Sequence, residues 1–276
     1  MAPGGGTPDP WEFPPVRAAR LAWLYFRIGA MNELQYRVNF LVYLFQSALA
    51  LGTGLAVLAL VFGRVSELNG WSRPELLAVM GVFTIMGGLI RTVIQPNMTQ
   101  FMTDVQEGTL DYVLTKPADA QLLVSVRMVA IWQAVDVLSG AVVLAVAVLR
   151  LGHGMGLAHA LGFAVALLAG AVMIYCFWMM LTTVAFWVVR IDQIVELFQG
   201  IYQAGRWPVG VYPGWLKIGL TFLVPIAFAV TVPAEGITAR LSGSTLAGAV
   251  GLAAALFGLT RWFWRFGLRH YSGASS

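Results

Sequence analysis

Charge is scarce in this sequence: Asp, Glu, Lys and Arg make up 11% of its 276 residues, and only two of them are lysines. So little polar material cannot cover a soluble globule of that size, which excludes an ordinary soluble domain. Both lysines also sit in the wrong place for nucleotide chemistry. Lys116 follows Thr115 and Lys217 follows Leu216, so there is no G-x-x-x-x-G-K-[ST] loop to cradle phosphates. The single cysteine, Cys176, lies in an apolar run and cannot form an intrachain disulfide. The three histidines, His153, His159 and His270, fall in or near loops, and no H-E-x-x-H or paired-carboxylate arrangement accompanies them. "GHGMG" at 152–156 reads as a short external turn. These absences argue against an enzyme, and the formal charge of +4 is too small and too dispersed to call for a nucleic acid.

What is present is hydrophobic, 59% of the chain. A membrane span needs about 20 apolar residues, and candidate spans run roughly over 38–63, 75–95, 121–149, 158–189 and 244–264, with a less regular apolar stretch over 191–232. This pattern predicts one polytopic all-α membrane protein with six transmembrane helices. With the amino terminus in the cytoplasm, eleven of the clearly placed basic residues lie inside and four outside (Arg64, Arg73, Arg150 and Arg240). The positive-inside rule then places both termini in the cytoplasm.

Residues 1–13 are rich in Gly and Pro, carry no positive charge, lead into no immediate apolar run and are expected to be a disordered tail rather than a cleaved signal. Residues 14–37 are helix-compatible after Pro14 and Pro15. Arg17, Arg20 and Arg27 share one arc, which reads as an interfacial helix or as an extension of the first span. Small residues recur every fourth position at Ala48, Gly52 and Ala56, at Gly162, Ala166 and Gly170, and at Ala247, Gly251 and Ala255, a spacing that lets helix backbones approach closely.

Between 190 and 240, prolines 208, 213, 225 and 233 interrupt the apolar pattern. Either 191–214 is a cytoplasmic loop and 215–232 the fifth span, or 191–206 is a short crossing followed by a segment that dips into the outer leaflet and returns. Irregular backbone at such depth must be covered by protein or water.

The least membrane-like stretch of the middle of the chain is "QEGTLDYVLTKP", residues 106–117. Pro96 is expected to end the second span. Met98, Phe101, Met102 and Val105 then fall on one face of an amphipathic helix that Gly108 stops or bends. Thr109 is placed to cap a new two-turn helix with Asp111 in its first turn, Lys116 in its last and Pro117 as its stop, presenting Leu110, Val113 and Leu114 on one side. Such a helix fits a groove on another protein.

This stretch resembles the motif after the second span in permeases of the ABC type-2 exporter family, roughly E-x-G-T-L-E-x-L-L-x-x-P. Glu107, Gly108, Thr109, Leu110, Asp111, Leu114 and Pro117 meet it here, with Glu107 directly beside the glycine, Asp111 in place of glutamate and Val113 in place of the first leucine. The wording is similar to that of a branch of small bacterial ABC-2-like permeases. The resemblance implies a six-span permease domain over 38–270 in a bacterial inner membrane, a cytoplasmic coupling segment over 96–120 that docks on an ATPase, and outer-side re-entrant helices over 207–232. It also implies two ATPase subunits that hold ATP and Mg, a second permease subunit that is identical or paralogous, and no cofactor bound by this chain. A secondary transporter or channel working without an ATPase is the rival reading, and the inverted repeats such proteins often carry are not evident.

Asp136 lies near the middle of the predicted third span, where a carboxylate marks a pathway or a bond to a neighbouring helix. Arg91 and Arg127 sit nearer the ends of their spans and are expected to snorkel rather than to pair with it. Gln46, Trp132, Gln133 and Tyr175 are its candidate neighbours, and Glu196 is a second candidate pathway acid. Together these six residues form the predicted substrate pathway, with Asp136 drawing cationic cargo if it faces the substrate. Trp207, Tyr212, Trp215, Trp262 and Trp264 read as interfacial anchors.

Overall fold

The computed structural model describes residues 23, 24, 27, 31, 37–116, 119–152, 156–187 and 194–271. The tail, most of the expected interfacial helix and Pro117 lie outside them. Among the described residues, five helices are long and apolar enough to cross a membrane, and a bent pair makes a sixth if it counts as one span.

The first is α1, Arg37–Phe62, apolar on all sides. A two-residue turn follows it, Asn69 and Gly70 both with positive φ, which pairs β1 (Glu67–Leu68) with β2 (Trp71–Ser72). That left-handed pair of torsions is what a tight hairpin demands of its two central residues. The turn starts α2, Arg73–Leu89. The Ser72 N–H donates to Glu75 Oε2 at 2.7 Å, and Arg240 Nε, from far along the chain, donates to Glu75 Oε1 at 2.7 Å. We call this end of the bundle the hairpin end.

Pro96 does not end the second span. A π-helical stretch, Ile90–Ile94, carries α2 directly into α3, Gln95–Gln106, and the whole rod is 34 residues long. Proline removes one backbone donor and crowds the preceding turn; widening that turn to π geometry absorbs the crowding without breaking the rod. The apolar face of α3 packs inward, with Met98, Phe101 and Met102 buried.

A connector then leads through the one-turn α4, Asp111–Leu114, to α5, Ala120–Val126. The third span is not continuous either. The helix stops at Val126, residues 128–130 are not helical, and the backbone resumes as a 3₁₀ turn, Ile131–Gln133, that enters α6, Ala134–Leu151. Asp136 therefore sits in the first turn of a helix rather than in mid-span. Next come α7, Leu157–Thr183, which runs on through a 3₁₀ turn to Phe186, and α8, Ile194–Tyr202. The proline-rich region forms α9, Gly214–Ile218, extended to Leu223, and a second limb, Ala227–Ile237, that ends in α10, Val232–Ile237. The two limbs meet at 77°. Finally α11, Gly243–Leu268, returns to the connector end.

The close contact between α2 and α6 uses glycines outside the predicted stripes. A Cβ on Gly140 would lie 2.7 Å from the Ile85 backbone nitrogen, one on Gly81 2.9 Å from that of Leu144, and one on Gly88 2.7 Å from that of Val137. These three glycines let α2 and α6 touch backbone to backbone. Of the predicted stripes, Gly170 meets the Phe228 carbonyl in the same way, whereas Gly52 and Gly251 face open space. Trp264, read above as an anchor, is buried against Phe101 and Phe186, while Trp262 and Trp215 are exposed.

Candidate functional site

The π-helical turn of one helix and a break in its neighbour face one another, and each supplies what the other lacks. Pro96 has no N–H for the Thr92 carbonyl, and that carbonyl accepts the Ala130 N–H at 2.9 Å. Asn97, buried, donates from Nδ2 to the Val93 and Met128 carbonyls, both at 2.7 Å, and accepts the Met128 N–H on Oδ1 at 2.8 Å. Backbone groups inside a membrane protein must be paired internally, so the gap at 128–130 is held open only because α3 closes its hydrogen bonds.

On the connector side of this joint, the Arg127 guanidinium pairs with the buried carboxylate of Asp104. Asp104 Oδ1 also accepts from Gln100 Nε2 at 2.8 Å and from Thr109 Oγ1 at 3.4 Å. Its carbonyl takes the Thr109 N–H at 2.9 Å, and the Gly108 N–H, at φ +69°, reaches the Val105 carbonyl. This pairing is the Schellman stop, for which glycine suits the left-handed position. Gly108 therefore ends the helix as its sequence implies. Thr109 instead bonds back to Asp104, and α4 has no side-chain cap. The predicted docking face is divided, Leu114 outside and its two companions inside. Leu110 and Val113 are buried inside the chain, while Tyr112 is 75% exposed and Leu114, Lys116 and Glu107 also face outward. Asp111 is half-buried.

The far side of the connector is latched to two other spans. Asp119 accepts the Leu122 N–H at 3.0 Å and Arg261 Nη1 at 2.9 Å, and the same Nη1 reaches Gln121 Oε1 at 2.8 Å. Burial alone would raise the Asp119 carboxyl, but the Arg261 guanidinium and the Leu122 N–H outweigh it and hold the group below its usual range. Tyr175 belongs to this latch, its hydroxyl 2.9 Å from Ser125 Oγ and 3.3 Å from Gln121 Nε2.

On the other side of the joint lies a cavity of about 310 Å³ between α1, α2, the start of α6 and the turn after α8. Gln46, Trp132, Gln133 and Asp136 line it; Tyr175 and Glu196 do not, and Glu196 is exposed. Arg91 is the partner of Asp136 after all, with Nη2 at 2.5 Å and Nε at 3.2 Å from Oδ2, while Ser47 Oγ donates to Oδ1. The widened turn at 90–94 and the late restart of α6 bring the two groups together, and a continuous third helix would have set them at other heights. Arg206 and Gln203 complete the polar lining.

Asn97, Asp104 and Arg206 carry the joint, the connector and the cavity, and sequence reasoning passed over all three. A faint signal exists for the first two: lying seven residues apart, they share the flank of the apolar face of α3.

A bundle of apolar helices, one of them broken and stitched to the π turn of its neighbour beside a polar cavity, is that of a polytopic membrane protein. A family model described as ABC-2 family transporter protein matches residues 48–275, and the chain belongs to that family. It is thus the membrane component of a transporter, as the resemblance of residues 107–117 implies. A search of curated proteins and a search of solved structures each return no match.

Proposed function

We propose that this chain is the permease subunit of an ATP-driven exporter in the bacterial inner membrane, with both termini and the connector in the cytoplasm. Two such subunits, identical or paralogous, would pair with two ATPase subunits that bind ATP and Mg, and the lined cavity would be part of the pathway. One observation carries the reading: polar contacts and the short lengths of backbone between them link the connector to the cavity. Thr109 bonds Asp104, which pairs with Arg127; the adjacent Met128 is held by Asn97, the Ala130 N–H by the Thr92 carbonyl, and the neighbouring Arg91 pairs with Asp136 in the cavity. A docked ATPase that displaced the connector would move α3 and the end of α5 together, and the cavity wall with them.

The exposed residues Tyr112 and Leu114 are the docking surface, whereas Leu110 holds the connector to its own chain. The test is co-purification with a candidate ABC ATPase from the same organism and measurement of its activity in nanodiscs. Tyr112→Glu or Leu114→Glu should abolish stimulation of ATP hydrolysis while the permease still inserts and elutes as a single species. Gradient-driven transport by the isolated chain that survived both substitutions would overturn the reading in favour of a secondary transporter or channel.

A further inference from the structure

The cavity beside α1 carries three charged side chains, Arg91, Asp136 and Arg206. Both carboxylate oxygens of Asp136 are occupied, one by Ser47 and the other by two nitrogens of Arg91. That removes the attraction for cations that a lone intramembrane acid would exert, because a guanidinium giving two N–H groups to one oxygen, with a hydroxyl on the other, satisfies the acid. Arg206 has no such partner. Its guanidinium lies 5.7 Å from the centre of the Phe83 ring, and among the described residues no carboxylate is within ion-pair distance of it. Two arginines against one aspartate leave the cavity with one positive charge, and that charge is half-buried on an aromatic face.

The polarity is graded along α2. Arg91 lies at one end, Arg206 at the level of Phe83, and Leu76 near the hairpin end. From Phe83 to Leu76 is about 10 Å of helix rise, and over that distance Leu51, Gly54, Leu58, Leu76 and Met80 present only apolar surface. A volume of 310 Å³ is at the lower end of small-molecule sites, which run from about 300 to 1,000 Å³. It excludes full enclosure of a folded peptide or a polymer.

We propose that this cavity binds a small amphipathic anion, its acid group held by Arg206 and its apolar part lying against Leu51, Leu58, Leu76 and Met80. The proposal names a substrate class for the site that the permease reading treats as the pathway, and in that sense rests on it. A cation of the same shape is disfavoured by the unpaired guanidinium, which costs little desolvation to pair with an incoming acid because it is already partly out of water.

The experiment uses the purified full chain in phosphatidylcholine nanodiscs, with empty nanodiscs as background. Radiolabelled laurate and dodecyltrimethylammonium, which share a twelve-carbon chain and differ in charge, serve as the two probes. Laurate should bind at least tenfold more tightly than the cation. Arg206→Gln should weaken laurate at least tenfold, and Arg206→Lys should retain most of the binding. If Arg206→Gln fails to fold, Gly54→Leu carries the test, since it fills the apolar part beside Met80 and should weaken laurate without touching a charge. Equal or tighter binding of the cation, or laurate binding indifferent to position 206 and to Gly54→Leu, overturns the proposal. Binding is read without an ATPase, so its failure with ATPase stimulation intact sinks this proposal alone. No stimulation of the ATPase by the wild-type chain, with laurate binding intact, sinks the permease reading instead.

Discussion

Asn97 in α3 holds both backbone groups of Met128 with one amide, giving Nδ2 to the carbonyl at 2.7 Å and taking the N–H on Oδ1 at 2.8 Å. The contact spans two helices that are each irregular at that level, one by a π-helical turn and the other by a gap. Neither irregularity would persist beside a regular neighbour, because its unpaired groups would then be left in an apolar interior.

Asn97→Leu keeps the volume and removes the pairing. Each buried group left unpaired costs about 1–3 kcal/mol, and in a chain of this size each kcal/mol moves the melting temperature by about 2–4 °C. A fall of several degrees is expected in detergent by fluorescence-detected size exclusion. Asn97→Asp, whose carboxylate would face the Val93 and Met128 carbonyls in a buried place, should fall at least as far. An unchanged melting temperature for Asn97→Leu would show that the joint contributes nothing.

Breaking the Arg91–Asp136 pair from one side should cost more than removing it. Loss of a single partner leaves a charge in a poorly solvated place, about 3–5 kcal/mol when burial is complete and less here, since the Arg91 side chain is 29% exposed. Arg91→Met and Asp136→Leu should each lower thermal stability, and the double variant should recover part of the loss. Additive losses in that cycle would refute direct coupling.

The Asp119–Arg261 latch sets an acid limit. The Asp119 carboxyl is held below its ordinary range, so its contribution is present above the unfolded value of about 4 and is lost as pH falls through the lower, folded value. The stability advantage of the wild type over Asp119→Asn should hold from pH 7 down to about pH 4 and vanish below it. Melting temperatures of both proteins across that range check this; an advantage already gone at pH 5 contradicts it.

The glycine seam separates two substitutions that look alike in sequence. Gly140→Ala puts a methyl group 2.7 Å from the Ile85 backbone nitrogen, which cannot rotate away, and should destabilise by about 1–3 kcal/mol. Gly251→Ala meets nothing within 4 Å and removes a flexible residue from a helix, so it should be neutral or gain up to about 1 kcal/mol. Thermal unfolding of the two variants side by side decides the matter.

The helical membrane class, the apolar runs that form α1, α7 and α11, and the stop at Gly108 could be read from residue order. They depend on local quantities: the length of an apolar run, and the ease with which glycine takes a positive φ. Gln46, Trp132, Gln133 and Asp136 were grouped by their depth in the predicted spans, and they share one cavity. Tyr175 was grouped the same way and lies instead in the latch on the connector, because the gap at 128–130 offsets the residues before it from those after it.

Composition settled that this chain lives in a bilayer, and the polar run after the second span settled which family it resembles, since both are properties of short stretches taken alone. Nothing in "RMVA" at 127–130 marks a helix break, and Pro96 taken alone points to a stop that does not occur. Those outcomes came from packing: a backbone carbonyl without a donor and a backbone gap without partners are each unfavourable alone, and they become stable only when a neighbouring helix brings them together.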